Sequence, residues 1–176
     1  DSFIISQETD YPWNGTVKLS INSLKKPIKK EIRLRIPEWC KQYSIAINGK
    51  RVENIPVEKG FAVIDRKWHN SDNLTLTLDM PIEVIEDDPR VKENIGKRAI
   101  QRGPLVYCME ETDNLLFDEL KLSSNSEYNS TFTPSLLNGI TTIKAITGNQ
   151  TIFLIPYYSW DNREAGQMKV WIDYKE

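Results

Sequence analysis

The chain alternates apolar and polar residues over several short stretches. Residues 15–22 place Val17, Leu19 and Ile21 on one side and Lys18 and Ser20 on the other. Residues 31–36 place Ile32, Leu34 and Ile36 opposite Arg33 and Arg35, and Pro37 ends the run. Residues 73–79 set Leu74, Leu76 and Leu78 against Thr75 and Thr77. A period of two puts alternate side chains on opposite faces, so each stretch predicts a half-buried strand. Residues 43–47 and 51–52 flank Asn48-Gly49-Lys50, and Asn-Gly between apolar runs is a strong hairpin signal. Further strands are predicted at 2–7, 60–66 and 82–85, with Trp68 anchoring the loop after the second of these. No stretch carries a convincing helical period. Short strands at regular spacing predict an all-β, antiparallel β-sandwich of jelly-roll type.

Residues 97–111, KRAIQRGPLVYCMEE, stand at the centre of this organisation. Two strands, 98–101 and 105–110, are predicted around Arg102-Gly103-Pro104. Gly and Pro together suit a strand that crosses between sheets or reaches a sheet edge. Residues 25–30 and 86–94 read as charged loops, and 123–133 as a polar one. Residues 140–147 and 151–155 read as a hairpin around Gly148-Asn149. Residues 167–174 read as one closing strand, with Met168, Val170 and Ile172 on one face. Two small sandwiches packed together are expected, residues 1–92 and 93–176, with the closing strand free to return to the first.

Composition narrows the class. The chain has 176 residues, 39% hydrophobic and 27% charged, with a formal net charge of -2. Both signs are interspersed, which argues against nucleic acid or an anionic membrane as partner. No apolar run approaches the roughly 20 residues of a membrane span. The chain starts at Asp1 with an apparent strand, so a piece of a longer protein is expected. Cys40 and Cys108 sit beside apolar neighbours and read as unpaired core thiols, one disulfide being the alternative.

Candidate chemistry is sparse. One histidine, His69, cannot supply a His-rich metal site or a placeable triad. Glu110 and Glu111 are adjacent on a strand, so they point to opposite faces and cannot flank one glycosidic bond. The acidic stretch 86–94 lacks EF-hand spacing and reads as a solvated loop. No catalytic and no metal-binding residue is therefore expected. The loop aromatics stand out instead: Tyr11 and Trp13 in one loop, Tyr158 and Trp160 with Arg163 in another. Two readings stand for them. Such rings can pack on a neighbouring domain, or stack on sugar rings while polar neighbours bond hydroxyls.

Five segments together carry a resemblance: QETDYPWNGTVKLSI (7–21), LRIPEWC (34–40), NGK (48–50), NIGKRAIQRGPLVYCMEETDN (94–114) and IPYYSWDNREAGQMKVWI (155–172). They resemble the non-catalytic C-terminal portion of glycoside hydrolase family 127, whose founding activity is β-L-arabinofuranosidase. The resemblance implies a bacterial enzyme with an N-terminal (α/α)6 barrel followed by β-sandwich domains. It implies that the barrel carries a cysteine nucleophile in a zinc site of cysteines and a glutamate. Cys40 and Cys108 do not match those positions, so no cofactor is expected in this chain and zinc is expected only in the barrel. The expected partner is that barrel, contacted through Tyr11, Trp13, Tyr158, Trp160 and Arg163. On the alternative reading the chain is a carbohydrate-binding module using the same aromatics. Periplasmic and cytoplasmic locations both stay open.

Overall fold

The structure is a computed structural model and describes residues 3–22 and 25–175. The expected first strand begins at Ser2, which lies outside the described residues. The chain divides into two compact units, Asp1–Met80 and Pro81–Glu176. The break falls before the expected 92/93 because Ile82–Ile85 pairs with Lys97–Arg102 of the second unit. The chain is all-β; among the described residues the only helical turns are short 3-10 segments, and no helix is long and apolar enough to cross a membrane.

The first unit is a two-sheet sandwich. Its strands are β1 (Ile4–Thr9), β2 (Thr16–Asn22), β3 (Ile28–Arg35), β4 (Tyr43–Ile47), β5 (Lys50–Arg51), β6 (Val57–Glu58), β7 (Phe61–Trp68) and β8 (Asn73–Leu78). They form a five-stranded sheet, β1-β2-β8-β4-β5, and a three-stranded sheet, β3-β7-β6. Every pairing in both is antiparallel. The alternation predicted from the sequence is the alternation that packs. Leu19, Ile21, Ile45, Leu74, Leu76 and Leu78 of the larger sheet share one core with Ile32, Leu34, Ala62, Ile64 and Trp68 of the smaller. Trp68 is fully buried, and its indole N–H donates to the Lys30 carbonyl at 2.9 Å, so the ring is buried without an orphaned donor. Residues 28–30, expected in a loop, are strand because all three pair with β7.

Two local devices shape this unit. Asn48 and Gly49 have φ of 50° and 75°, the left-handed region that a two-residue hairpin needs between Ile47 and Lys50. The Asn48 amide then reaches across to Asp72 at 2.8 Å, and its carbonyl oxygen accepts from the Asn73 N–H at 2.8 Å. Gly15 meets a different demand. A Cβ there would lie 2.0 Å from the Leu78 carbonyl oxygen, so only glycine lets the chain enter β2 beside the end of β8.

The second unit holds β9 (Ile82–Ile85), β10 (Lys97–Arg102), β11 (Leu105–Glu110), β12 (Leu122–Ser123), β13 (Glu127–Thr133), β14 (Ile140–Thr147), β15 (Gln150–Pro156), β16 (Met168–Lys169) and β17 (Ile172–Lys175). They make one nine-stranded sheet, β12-β17-β10-β11-β15-β14-β13, with β9 on β10 and β16 on β11. Only β12 and β17 run parallel among these pairs. The Arg102-Gly103-Pro104 stretch does not carry the chain between sheets. It closes a tight hairpin, Arg102 paired with Leu105.

That hairpin splits. β10 and β11 pair from Arg102–Leu105 to Ile100–Tyr107. Beyond that point β11 takes β16 as partner, Met109 with Lys169 and Glu110 with Met168. β10 takes β17, Lys97 with Asp173 and Arg98 with Ile172. The expected single closing strand is therefore two short ones, both inside the second unit rather than returned to the first. β11 is buried on both faces: Tyr107 and Met109 join the main core, and Cys108 joins a smaller cluster with Ile140 and Ile155. Both cysteines are buried and unpaired. Residues 127–133, expected in a polar loop, form β13, paired along its length with β14.

Candidate functional site

Two loops of the second unit meet beside the end of β11, residues 111–121 after β11 and residues 157–167 between β15 and β16. Each opens with a 3-10 turn, Glu111–Asp113 and Tyr157–Ser159. Buried polar groups tie them into one platform. Glu110 is 5% exposed and Asn114 is 3% exposed. Arg163 of the second loop reaches two carboxylates at the start of the first: Nη1 donates to Asp113 Oδ1 at 2.7 Å, Nη2 to Asp113 Oδ2 at 2.5 Å, and Nη2 also to Glu110 Oε2. The other Glu110 oxygen accepts from the Asp161 N–H at 2.9 Å. The hydrogen bond to Asp113, then that to Glu110, hold the Arg163 pKa above its ordinary value against the cost of burial.

Asn114 substitutes for a missing strand partner. Its amide donates to the carbonyls of Glu110 at 2.7 Å and Phe153 at 3.0 Å, and its oxygen accepts from the Phe153 N–H at 2.8 Å. Glu111 pairs with Gln167 through both main chain and side chain, at 3.0 and 2.9 Å. In the aromatic loop the buried Ser159 hydroxyl donates to the Pro156 carbonyl at 2.7 Å, and the Asn162 amide to the carbonyls of Ser159 and Trp160. Glu110, Glu111, Asp113, Asn114 and Arg163 thus tie the two loops together, while Arg163 Nε is buried without a partner. Among the exposed residues are large apolar ones: Tyr157, Tyr158 and Trp160 from one loop, Leu115 and Leu116 from the other.

The remaining sequence candidates lie in the first unit. Tyr11 and Trp13 are exposed in the loop joining β1 to β2, where the Tyr11-Pro12 peptide is cis. That loop closes on itself. The Trp13 and Asn14 N–H groups donate to the Asp10 carbonyl at 2.8 and 3.0 Å, and the Thr9 hydroxyl donates to the Thr16 carbonyl at 2.8 Å. Tyr11 borders an open groove of about 430 Å³ along the sandwich edge, lined also by Gln7, Val17, Leu34, Arg35 and Pro37. Tyr158, Trp160 and Arg163 therefore share one platform, while Tyr11 and Trp13 belong to a different unit. Sequence reasoning weighed Glu110 only as a catalytic carboxylate, and missed Asp113, Asn114, Leu115 and Leu116. The one available signal was the run Leu115-Leu116-Phe117, three successive apolar residues that cannot all face one core.

As chemistry, the platform is committed to structure. Glu110 and Asp113 share one guanidinium, an arrangement that holds a loop rather than one that cycles a proton. Burial pushes the Cys108 thiol up to about 12, the neighbouring Glu110 adds to this, and Arg163 opposes it. A neutral, buried thiol beside carboxylates already engaged by arginine does not fit a zinc ligand set. Among the described residues no cluster of three or more His, Cys, Asp or Glu could hold a metal ion.

Comparison with known proteins gives the following. Residues 1–80 match the β-L-arabinofuranosidase GH127 middle domain, and residues 82–173 match the glycoside hydrolase family 127 C-terminal domain. A non-reducing end β-L-arabinofuranosidase of Bifidobacterium longum subsp. longum is 28% identical over 198 residues, covering 94% of this chain and 30% of that protein. The crystal structure of Ara127N-Se, a GH127 β-L-arabinofuranosidase from Geobacillus stearothermophilus T6, superposes with a TM-score of 0.87 at 36% identity, over 97% of this chain and 30% of that one. A further GH127 β-arabinofuranosidase superposes with a TM-score of 0.84 at 30% identity, over 98% of this chain and 32% of that one. The chain thus spans about 30% of the length of the relatives it matches.

Proposed function

The chain belongs to glycoside hydrolase family 127, and on that premise we propose that it is the non-catalytic accessory region of a bacterial glycoside hydrolase of β-L-arabinofuranosidase type. Its role is to support an N-terminal (α/α)6 barrel in the same protein. The observation that carries this reading is the match itself: a middle and a C-terminal domain together fill the chain and only about 30% of each relative. A domain ahead of the middle one accounts for the difference in length. On this reading zinc and its cysteine ligands would belong to that barrel; Cys40 and Cys108 are buried core thiols here. Support is a matter of packing: apolar surface removed from water at a domain boundary contributes roughly 25 cal/mol per Å².

The test is truncation. The longer protein should hydrolyse an aryl β-L-arabinofuranoside, and the barrel produced without residues 1–176 should lose thermal stability and activity together. An unchanged midpoint and rate in the truncated barrel would overturn the supporting role.

A carbohydrate-binding role is the second reading, and the exposed Tyr157, Tyr158 and Trp160 rings are what favour it. The loops' internal bonding weighs against it, because Arg163 and the Asn162 amide, which could bond sugar hydroxyls, already bond within the platform. Calorimetric titration with arabinose-containing oligosaccharides decides between the two. Saturable binding lost in Trp160→Ala or Trp13→Ala would establish a sugar site, and absence of heat from folded protein would leave the supporting role.

A further inference from the structure

Resting on that reading, we infer that the Leu115–Leu116 tip of the second unit's platform is a docking surface for the catalytic domain of the same protein. Leu115 is 92% exposed and Leu116 is 65% exposed, although leucine is among the residues most often buried. Leu116 also sits at φ of 58°, a left-handed conformation that costs a non-glycine residue free energy. In the isolated unit neither the exposure nor the strained backbone gains anything.

The tip is held rather than loose. Buried Asn114 precedes it and buried Phe117 follows it. The Phe117 ring carries Lys169 Nζ 4.5 Å from its centre, and the same ammonium donates to Asp118 at 2.7 Å. The Glu119 N–H donates back to the Leu116 carbonyl at 2.8 Å. Arg163 ties Asp113, just ahead of the tip, to the loop that exposes Tyr157, Tyr158 and Trp160. An apolar surface whose backbone is already ordered loses little conformational entropy on docking. Exposed apolar patches of this kind mark interaction sites.

The occupant follows from length and from chemistry. About 70% of each relative lies outside the part that this chain matches, and the two matched domains are a middle and a C-terminal one. The tip itself offers two leucines, and the Glu110 and Asp113 carboxylates beside it are already engaged by Arg163, so the tip fits an apolar face. A domain tethered in the same chain meets such a face at high effective concentration, which a weak apolar patch needs.

Thiol labelling tests this directly. Both native cysteines are buried with thiol pKa values raised by burial, and should label slowly in folded protein. Leu115→Cys is made in the 176-residue chain and in the longer protein, with exposed Asn125→Cys as control, and each is labelled with a maleimide. Leu115→Cys should react at the control's rate in the short chain and about 100-fold more slowly in the longer protein, as protected sites do. Equal rates in both would overturn the docking surface even if the longer protein hydrolyses arabinofuranosides. Slow labelling in the short chain that quickens on dilution would assign the tip to a second copy and likewise overturn it. A longer protein without glycosidase activity would overturn the functional reading beneath it, whatever the labelling shows.

Discussion

Replacing Arg163 with methionine is the most informative perturbation of the platform. Methionine keeps much of the stem's volume and removes the guanidinium. The Glu110 side chain is 7% exposed, Asp113 is 19% exposed and Arg163 itself is 20% exposed, so the pair is largely dry. Without arginine, Glu110 keeps one bond, from the Asp161 N–H, and a buried carboxylate is left uncompensated. Breaking such a pair from one side costs roughly 3–5 kcal/mol when fully buried, and the partial exposure of Arg163 and Asp113 brings this to about 2–4 kcal/mol. Urea denaturation read by tryptophan fluorescence measures it as a lower midpoint at unchanged slope. Adding Glu110→Gln supplies the second half of the test. Glutamine still accepts from Asp161 and carries no charge, so the double variant should recover at least half of the loss. A cost below about 0.5 kcal/mol for Arg163→Met, the range of an ordinary surface substitution, would refute the clamp. So would a double variant that is worse than the single.

Three further outcomes are expected. Gly15→Ala forces a Cβ against the Leu78 carbonyl, a backbone atom that cannot rotate away, and should cost about 2–4 kcal/mol by calorimetry. Asp72 is held below its ordinary 3.8: burial alone would raise it, but the Asn48 amide, the His69 N–H and Arg66 outweigh burial. Its contribution is therefore present above that value and lost as pH falls through the lower folded pKa, so the stability gap between wild type and Asp72→Asn should close in acid. Burial pushes Tyr107 up from 10.0 to about 12 and Cys108 from 9.0 to about 12. Both groups favour folding while neutral, and stability should fall as pH rises from about 9 towards 12. The tyrosine's share is roughly 2–3 kcal/mol, and Tyr107→Phe should flatten that alkaline loss.

The sandwich of the first unit was legible because its strands are half-buried. Leu74, Leu76 and Leu78 carry the period of two that the core demands, and Asn48-Gly49 marks its own turn. β13 was not legible, since EYNSTFT is an almost wholly exposed edge strand that is set by its pairing with β14. Nor was the splitting of β10 from β11, because β16 and β17 arrive from far along the chain. The domain boundary moved for the same reason: nothing local says that Ile82–Ile85 will pair with β10. At the platform, the opposed directions of Glu110 and Glu111 were readable. Glu110 is buried against Arg163, and Glu111 reaches the exposed Gln167 instead. The clamp itself was not, because Arg163 bonds residues 50 and 53 positions away.

The central claim is that these residues support chemistry performed elsewhere. Its most direct test is an aryl β-L-arabinofuranoside hydrolysis assay on the folded 176-residue chain, run beside the longer protein. The account predicts turnover by the longer protein and none above background by the chain alone, with or without added zinc and thiol reductant. Turnover by the chain alone that disappears in Glu110→Gln or Cys108→Ala would contradict it, and would make the platform an active site.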